Sequence, residues 1–128
     1  MESHIRNHEL NSRFINFFGL EWGAIRPMDV DLALEFGDRL FVFGEAKYAG
    51  SQLPYGQRLA LERITDAIHC EERKAICLVV DHEGGDNIPI ATCPVREYRW
   101  DGHWHKPHAI TCRELIDRVL RHLDVCQS

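Results

Sequence analysis

The sequence contains no long apolar segment, and no run approaches the ~20 residues that are needed to cross a bilayer. Its first residues also lack the basic stretch and apolar core of a secretory signal. These two absences predict a cytoplasmic protein that does not associate with a membrane. Glycine and proline are sparse, at nine and five of 128 residues, which excludes collagen-like and low-complexity chains. The five cysteines include no CxxC pair, so we expect reduced thiols rather than a disulfide framework.

The sequence also lacks an excess of positively charged residues. Fifteen lysines and arginines stand against 20 acidic residues, and the formal net charge is −5. Proteins that coat nucleic acid without specificity are usually basic, so the sequence excludes that class. It does not exclude a nucleic-acid enzyme, because metal-binding carboxylates add negative charge and basic groups need only cluster on one face. The length and the 45% hydrophobic content predict one domain over residues 1–128.

The hydrophobic pattern predicts the element order helix, hairpin, helix, buried strand, hairpin, helix. The predicted elements are a helix over 4–18, a hairpin over 31–43 that turns at Gly37-Asp38, a helix over 54–69, a strand over 75–80, a hairpin over 96–105 that turns at Asp101-Gly102, and a helix that begins at the Thr111/Glu114 capping box. This order predicts an α/β fold in which helices cover both faces of a mixed sheet.

Acidic residues mark both ends of the first predicted hairpin. Asp31 opens its first strand, and Glu45-Ala46-Lys47 closes the second strand. Hairpin pairing brings these ends together, and residues 45 and 47 share one face because side chains alternate along a strand. Two carboxylates at a sheet edge form an oxygen site suited to Mg²⁺ or Mn²⁺. A lysine beside them would orient water or neutralise a phosphate oxygen during phosphodiester hydrolysis.

The turn length decides which acid faces Glu45. A two-residue turn would place Val30 opposite Glu45, whereas one extra or bulged residue would place Asp31 there. The segment 27–31 reads PMDVD, so Asp29 is the alternative ligand. We favour Asp31 because an apolar strand follows it directly.

This segment resembles the core of the PD-(D/E)XK nuclease superfamily, especially small single-domain members such as VRR-NUC domains and archaeal Holliday-junction resolvases. The resemblance covers about residues 5–80 and implies a restriction-endonuclease-like core, to which a C-terminal hairpin and helix over about 95–125 are added. It implies that Asp31 and Glu45 bind Mg²⁺ or Mn²⁺ together with the backbone carbonyl of Ala46. It also implies that Lys47 is the catalytic lysine.

Two further site residues follow from the resemblance. Glu9 corresponds to the acid of the family's first helix, and Gln57 to a glutamine in the helix after the core. Gln57 shares a helical face with Leu61, Ile64 and Ile68, which predicts that it points toward the same sheet edge. The implied function is a Mg²⁺-dependent nuclease that hydrolyses phosphodiester bonds in DNA, and a homodimer is an expectation from the resemblance alone.

Two other readings stay open. The first is a catalytically silent copy of the same fold that binds nucleic acid or protein. The second is a zinc-stabilised interaction domain, with ligands drawn from His103, His105, His108, Cys93 and Cys112, although paired short spacings are missing. The tryptophans of the last hairpin, Trp100 and Trp104, either stack on bases or pack the hairpin itself.

Overall fold

The structure is a computed structural model that describes residues 15–124. These residues form five strands, two α-helices and a 3₁₀ turn at Ile90–Thr92. The elements are β1 (Leu32–Phe36), β2 (Leu40–Tyr48), α1 (Tyr55–Ile68), β3 (Lys74–His82), β4 (Val95–Trp100), β5 (His103–His105) and α2 (Cys112–Leu123). Neither helix is long and apolar enough to cross a membrane, within the part of the chain described.

The strands form one sheet in chain order, β1-β2-β3-β4-β5. β2 and β3 are parallel, and the other neighbouring pairs are antiparallel. Helix α1 supplies the crossover that a parallel pair requires. The predicted α/β class with a mixed sheet is therefore confirmed.

The two helices lie on opposite faces of the sheet. Helix α2 packs with Leu40, Val42, Ile76 and Leu78 in the main hydrophobic cluster. Leu61 of α1 is fully buried and lies outside that cluster, and side chains of α1 contact the alternate residues of the strands. The central strand β3 is covered on both sides, which explains the uninterrupted apolar run over 75–80.

One extra residue sets the register of the first hairpin. Gly37 and Asp38 both have positive φ and form the expected tight turn, in which the Arg39 N–H donates to the Phe36 carbonyl at 2.9 Å. The paired residues begin only with Phe36 and Leu40, so Arg39 is additional. Its guanidinium donates to the Leu123 carbonyl at the end of α2, which fixes this residue in place.

The later elements agree with the sequence pattern. α1 begins after Pro54 and ends before His69, and the last hairpin turns at Asp101 and Gly102. Thr111 accepts a hydrogen bond from the Glu114 N–H while the Glu114 side chain accepts one from the Thr111 N–H, as a capping box requires.

The predicted first helix is wrong at its C-terminal end. Residues 15–18 are not helical, and the chain turns at Phe18 and Gly19. The Asn16 side chain accepts a hydrogen bond from the Phe18 N–H at 2.7 Å, and this local bond replaces a helical one. The remainder of that prediction, over residues 4–14, lies outside the described residues.

Candidate functional site

The register set by Arg39 places Asp31 opposite Glu45, one position beyond the Leu32–Gly44 pair. The Asp31 N–H donates to Oε2 of Glu45 at 3.2 Å, and the Ala46 N–H donates to Oδ2 of Asp31 at 2.9 Å. Each carboxylate is thus held by the backbone of the opposite strand. The structure brings the two acids side by side at the open end of the hairpin.

Gln57, in the first turn of α1, reaches this acid pair. Its amide nitrogen donates to Oε1 of Glu45 and to the backbone carbonyl of Asp29 at 3.2 Å. Asp29 therefore contacts the site through its main chain, whereas Asp31 contacts it through its carboxylate. The helix phase predicted this approach of Gln57 correctly.

The face that α1 buries differs from the predicted apolar stripe. Leu61 and Thr65 are the buried residues of α1, while Ile64 is 41% exposed and lines the cleft beside the acid pair. Gln57, Leu61 and Thr65 are spaced four residues apart and therefore lie on one face of the helix. This inward face carries the polar side chains of Gln57 and Thr65 as well as Leu61.

Lys47 lies two residues after Glu45 on the same strand face, and it lines the same cleft as the acid pair. Its charge acts on Glu45 and favours the ionised carboxylate. Lys47 forms no ion pair with any residue over 15–124. As far as residues 15–124 are concerned, the ammonium group is left for a ligand in the cleft.

Burial, followed by the hydrogen bond and the charge of Asp31, raises the pKa of Glu45 from 4.5 to about 7. Only 3% of the Glu45 residue surface is exposed. At neutral pH and without a cation, the Glu45 carboxyl is thus protonated in about half of the molecules. A divalent cation between them would replace that proton, so the chemistry of these donors fits Mg²⁺ or Mn²⁺.

The protein donors at this position are few. In residues 15–124, no group of three or more histidine, cysteine, aspartate or glutamate side chains surrounds a common metal position. Mg²⁺ is commonly held by one or two carboxylates, with water and substrate phosphate completing its octahedron. Asp31 and Glu45 fit that more open type of site, and Ala46 lines the same cleft, where its carbonyl would be a further oxygen donor.

An open cleft of about 950 Å³ contains the acid pair. One wall is the segment 24–29, and the other is the exposed side of α1 with Gly56, Ala60 and Arg63. Asp31, Glu45, Ala46 and Lys47 lie between these walls. Glu9, the acid predicted in the first helix, lies outside the described residues.

The tryptophans of the last hairpin are half-buried and contact other parts of the protein, Trp100 through the edge of its ring against His69. The Trp104 indole N–H donates to Glu62 at 2.6 Å, and the Arg58 guanidinium lies 4.2 Å from the Trp104 ring centroid. Arg58 also forms an ion pair with Glu97 at 2.5 Å. The hairpin therefore fixes α1 against the sheet, and these contacts favour the interpretation that Trp104 packs the hairpin.

The histidines of this hairpin do not gather around a metal position either. His105 stacks on Tyr98 with ring centroids 5.1 Å apart. Because no metal-ligand cluster occurs in the described range, the hypothesis of a zinc site finds no support there.

The sequence did not predict the contacts of Arg58, Glu62 and Glu97, since nothing in local spacing links a helix to a distant hairpin.

Gly44 permits the close packing beneath the acid pair. A Cβ at this position would lie 3.1 Å from Leu78 Cδ1 and 3.3 Å from Leu32 Cβ. We expect Gly44→Ala to lower the free energy of unfolding by about 1–3 kcal/mol, because both neighbours must shift. Chemical denaturation measures the change. Gly56→Ala is the matched control, because its Cβ would meet open space; equal stabilities of the two variants would contradict the packing role of Gly44.

Comparisons with known proteins leave the family open. No family model matches the chain, and no curated protein or solved structure matches it significantly.

Proposed function

We propose that this protein is a metal-dependent nuclease that hydrolyses phosphodiester bonds, with DNA as its substrate. The observation that carries this proposal is the meeting of Asp31, Glu45, Lys47 and Gln57 in one open cleft. The order of hairpin, helix and parallel strand around the acid pair agrees with the restriction-endonuclease-like core implied by the resemblance.

Each of these residues has a separate task in the proposed site. Asp31, Glu45 and the Ala46 carbonyl would hold Mg²⁺ or Mn²⁺, which supplies polarisation of the phosphate and activation of water. Lys47 offsets the negative charge that develops on the phosphate oxygens. Gln57 holds the Glu45 carboxylate in place through its amide.

A cleavage assay with paired aspartate variants tests this proposal. The purified protein is incubated with linear, branched and single-stranded DNA, and with RNA, in Mg²⁺, Mn²⁺ or EDTA. We expect metal-dependent cleavage of DNA that Asp31→Asn reduces by about 10² or more, because one metal-facing charge is lost. Asp29→Asn is the matched control and should retain most activity, since the Gln57 contact uses the Asp29 carbonyl.

The results separate the two aspartates and the two classes of function. A larger loss in Asp29→Asn than in Asp31→Asn would assign the ligand to Asp29. Binding of nucleic acid without cleavage in any metal would contradict the proposal and favour the catalytically silent binding module.

A further inference from the structure

Two arginines flank the acid pair on opposite walls of the cleft. Arg26 belongs to the segment 24–29, and Arg63 projects from α1. Both residues are exposed. A ligand that crosses the cleft between these walls would pass over Asp31 and Glu45.

Neither arginine forms an ion pair within the described residues. Most other arginines of residues 15–124 form ion pairs, as the pairs Arg58–Glu97, Arg73–Asp38, Arg96–Asp81, Arg99–Asp66 and Arg113–Asp117 show. Arg26 and Arg63 form no such pair with any residue of this range, and neither does Lys47. Three cations without an ion pair in residues 15–124 therefore line one cleft, together with the carboxylates of Asp29, Asp31 and Glu45. Once a metal ion neutralises the acid pair, this lining suits a ligand with several negative charges.

The walls between the cations are largely apolar. Ile25, Pro27 and Met28 line one side, and Ala60 and Ile64 line the other. Sites for single-stranded nucleic acid combine a cationic groove with apolar or aromatic surfaces for exposed bases. A continuous duplex keeps its bases stacked inside and would leave these walls without a partner.

We propose that the cleft binds an unpaired DNA strand, with Arg26 and Arg63 contacting phosphates on either side of the acid pair and the apolar walls contacting bases. This inference rests on the proposed nuclease function and adds the form of its substrate. The bound strand runs from the segment 24–29 across Asp31 and Glu45 to α1. Single-stranded ends or flaps are accordingly the substrates.

Binding measurements test the arginines separately from cleavage. Fluorescence anisotropy measures the affinity of the protein for a labelled 15-nucleotide single strand and for the matching duplex. Ca²⁺ replaces Mg²⁺, and the measurement is repeated over a series of salt concentrations. For Arg26→Gln and Arg63→Gln we expect weaker single-strand binding and a salt slope reduced by about 0.7 for each lost phosphate contact. Arg118→Gln, an exposed residue of α2, is the matched control and should leave both values unchanged.

The outcomes distinguish this inference from the function on which it rests. Tighter binding of the duplex than of the single strand by the wild type would overturn it, as would unchanged salt slopes in both arginine variants. Calorimetric Mn²⁺ titration of the same variants should give the wild-type affinity, because neither arginine is a metal donor. Failure of the wild type to bind Mn²⁺ or to cleave DNA would overturn the nuclease proposal. The anisotropy measurements do not depend on cleavage, so they test the binding of the unpaired strand separately.

Discussion

Lys47→Ala is expected to reduce DNA cleavage by about 10² to 10³ at saturating Mn²⁺, while the fold and Mn²⁺ binding stay largely intact. The metal donors of the proposed site are the oxygens of Asp31, Glu45 and Ala46, and the substitution leaves all of them in place. What would disappear is the positive charge that the proposed mechanism places next to the scissile phosphate. Such a charge acts mainly in the transition state, so the loss should appear in turnover rather than in metal affinity.

Single-turnover cleavage, Mn²⁺ calorimetry and melting curves measure the three quantities in parallel. Lys106→Ala is the matched control, because Lys106 is exposed beyond the end of β5. Equal turnover of Lys47→Ala and the wild type would mean that Lys47 is only a charge at a strand end. The catalytically silent binding module would then be the better interpretation.

The sequence predicts much of the fold because several of its signals are local. The apolar run over 75–80 is long enough to require burial on both faces, and it became the central strand β3. The capping box at Thr111 and the turn at Asp101-Gly102 each satisfy backbone groups within a few residues. Signals of this kind do not depend on how distant parts of the chain pack.

The acid pair depends on one feature that local patterns left undecided. Asp31 meets Glu45 only because Arg39 adds one residue to the turn, and the Arg39 side chain contacts the end of α2, 84 residues away. Without knowledge of that contact, the sequence equally allows a register with Val30 opposite Glu45. The position of α1 also depends on distant groups, since Arg58 contacts Glu97 and Trp104.

Glu45 links the acid pair to pH, because its pKa is about 7 in the folded chain and 4.5 without burial and neighbours. The folded state holds more protons than the unfolded state between these two values. In the absence of metal, the stabilising contribution of protonated Glu45 is therefore complete below about pH 4.5 and is lost as the pH rises through about 7. A metal ion at the proposed site would bind the ionised form, so its affinity should rise over the same pH range.

Glu45→Gln should abolish this pH dependence and weaken metal binding at the same time. The amide keeps an oxygen that accepts the Asp31 N–H, and its NH2 group can donate to Gln57 once the Gln57 amide turns its oxygen toward it. The amide carries no charge that repels Asp31 or attracts Mn²⁺. In EDTA we expect a melting temperature above that of the wild type at pH 8 and equal to it near pH 4.5. Mn²⁺ at pH 8 should raise the melting temperature of the wild type far more than that of the variant, and cleavage should fall by about 10² or more.

Melting curves at pH 4.5, 6.5 and 8, each with EDTA or Mn²⁺, measure these differences. Glu71→Gln is the matched control, because it removes the same charge from an exposed position in the loop after α1. Calorimetry of the wild type at pH 7 in two buffers of different ionisation enthalpy should show release of about half a proton for each Mn²⁺ bound, since Glu45 is then about half ionised. A parallel pH profile for Glu45→Gln and the wild type, together with equal stabilisation by Mn²⁺, would mean that the cation binds elsewhere. That result would remove Glu45 from the metal site, because its protonation and its ligand role depend on the same pair of oxygens.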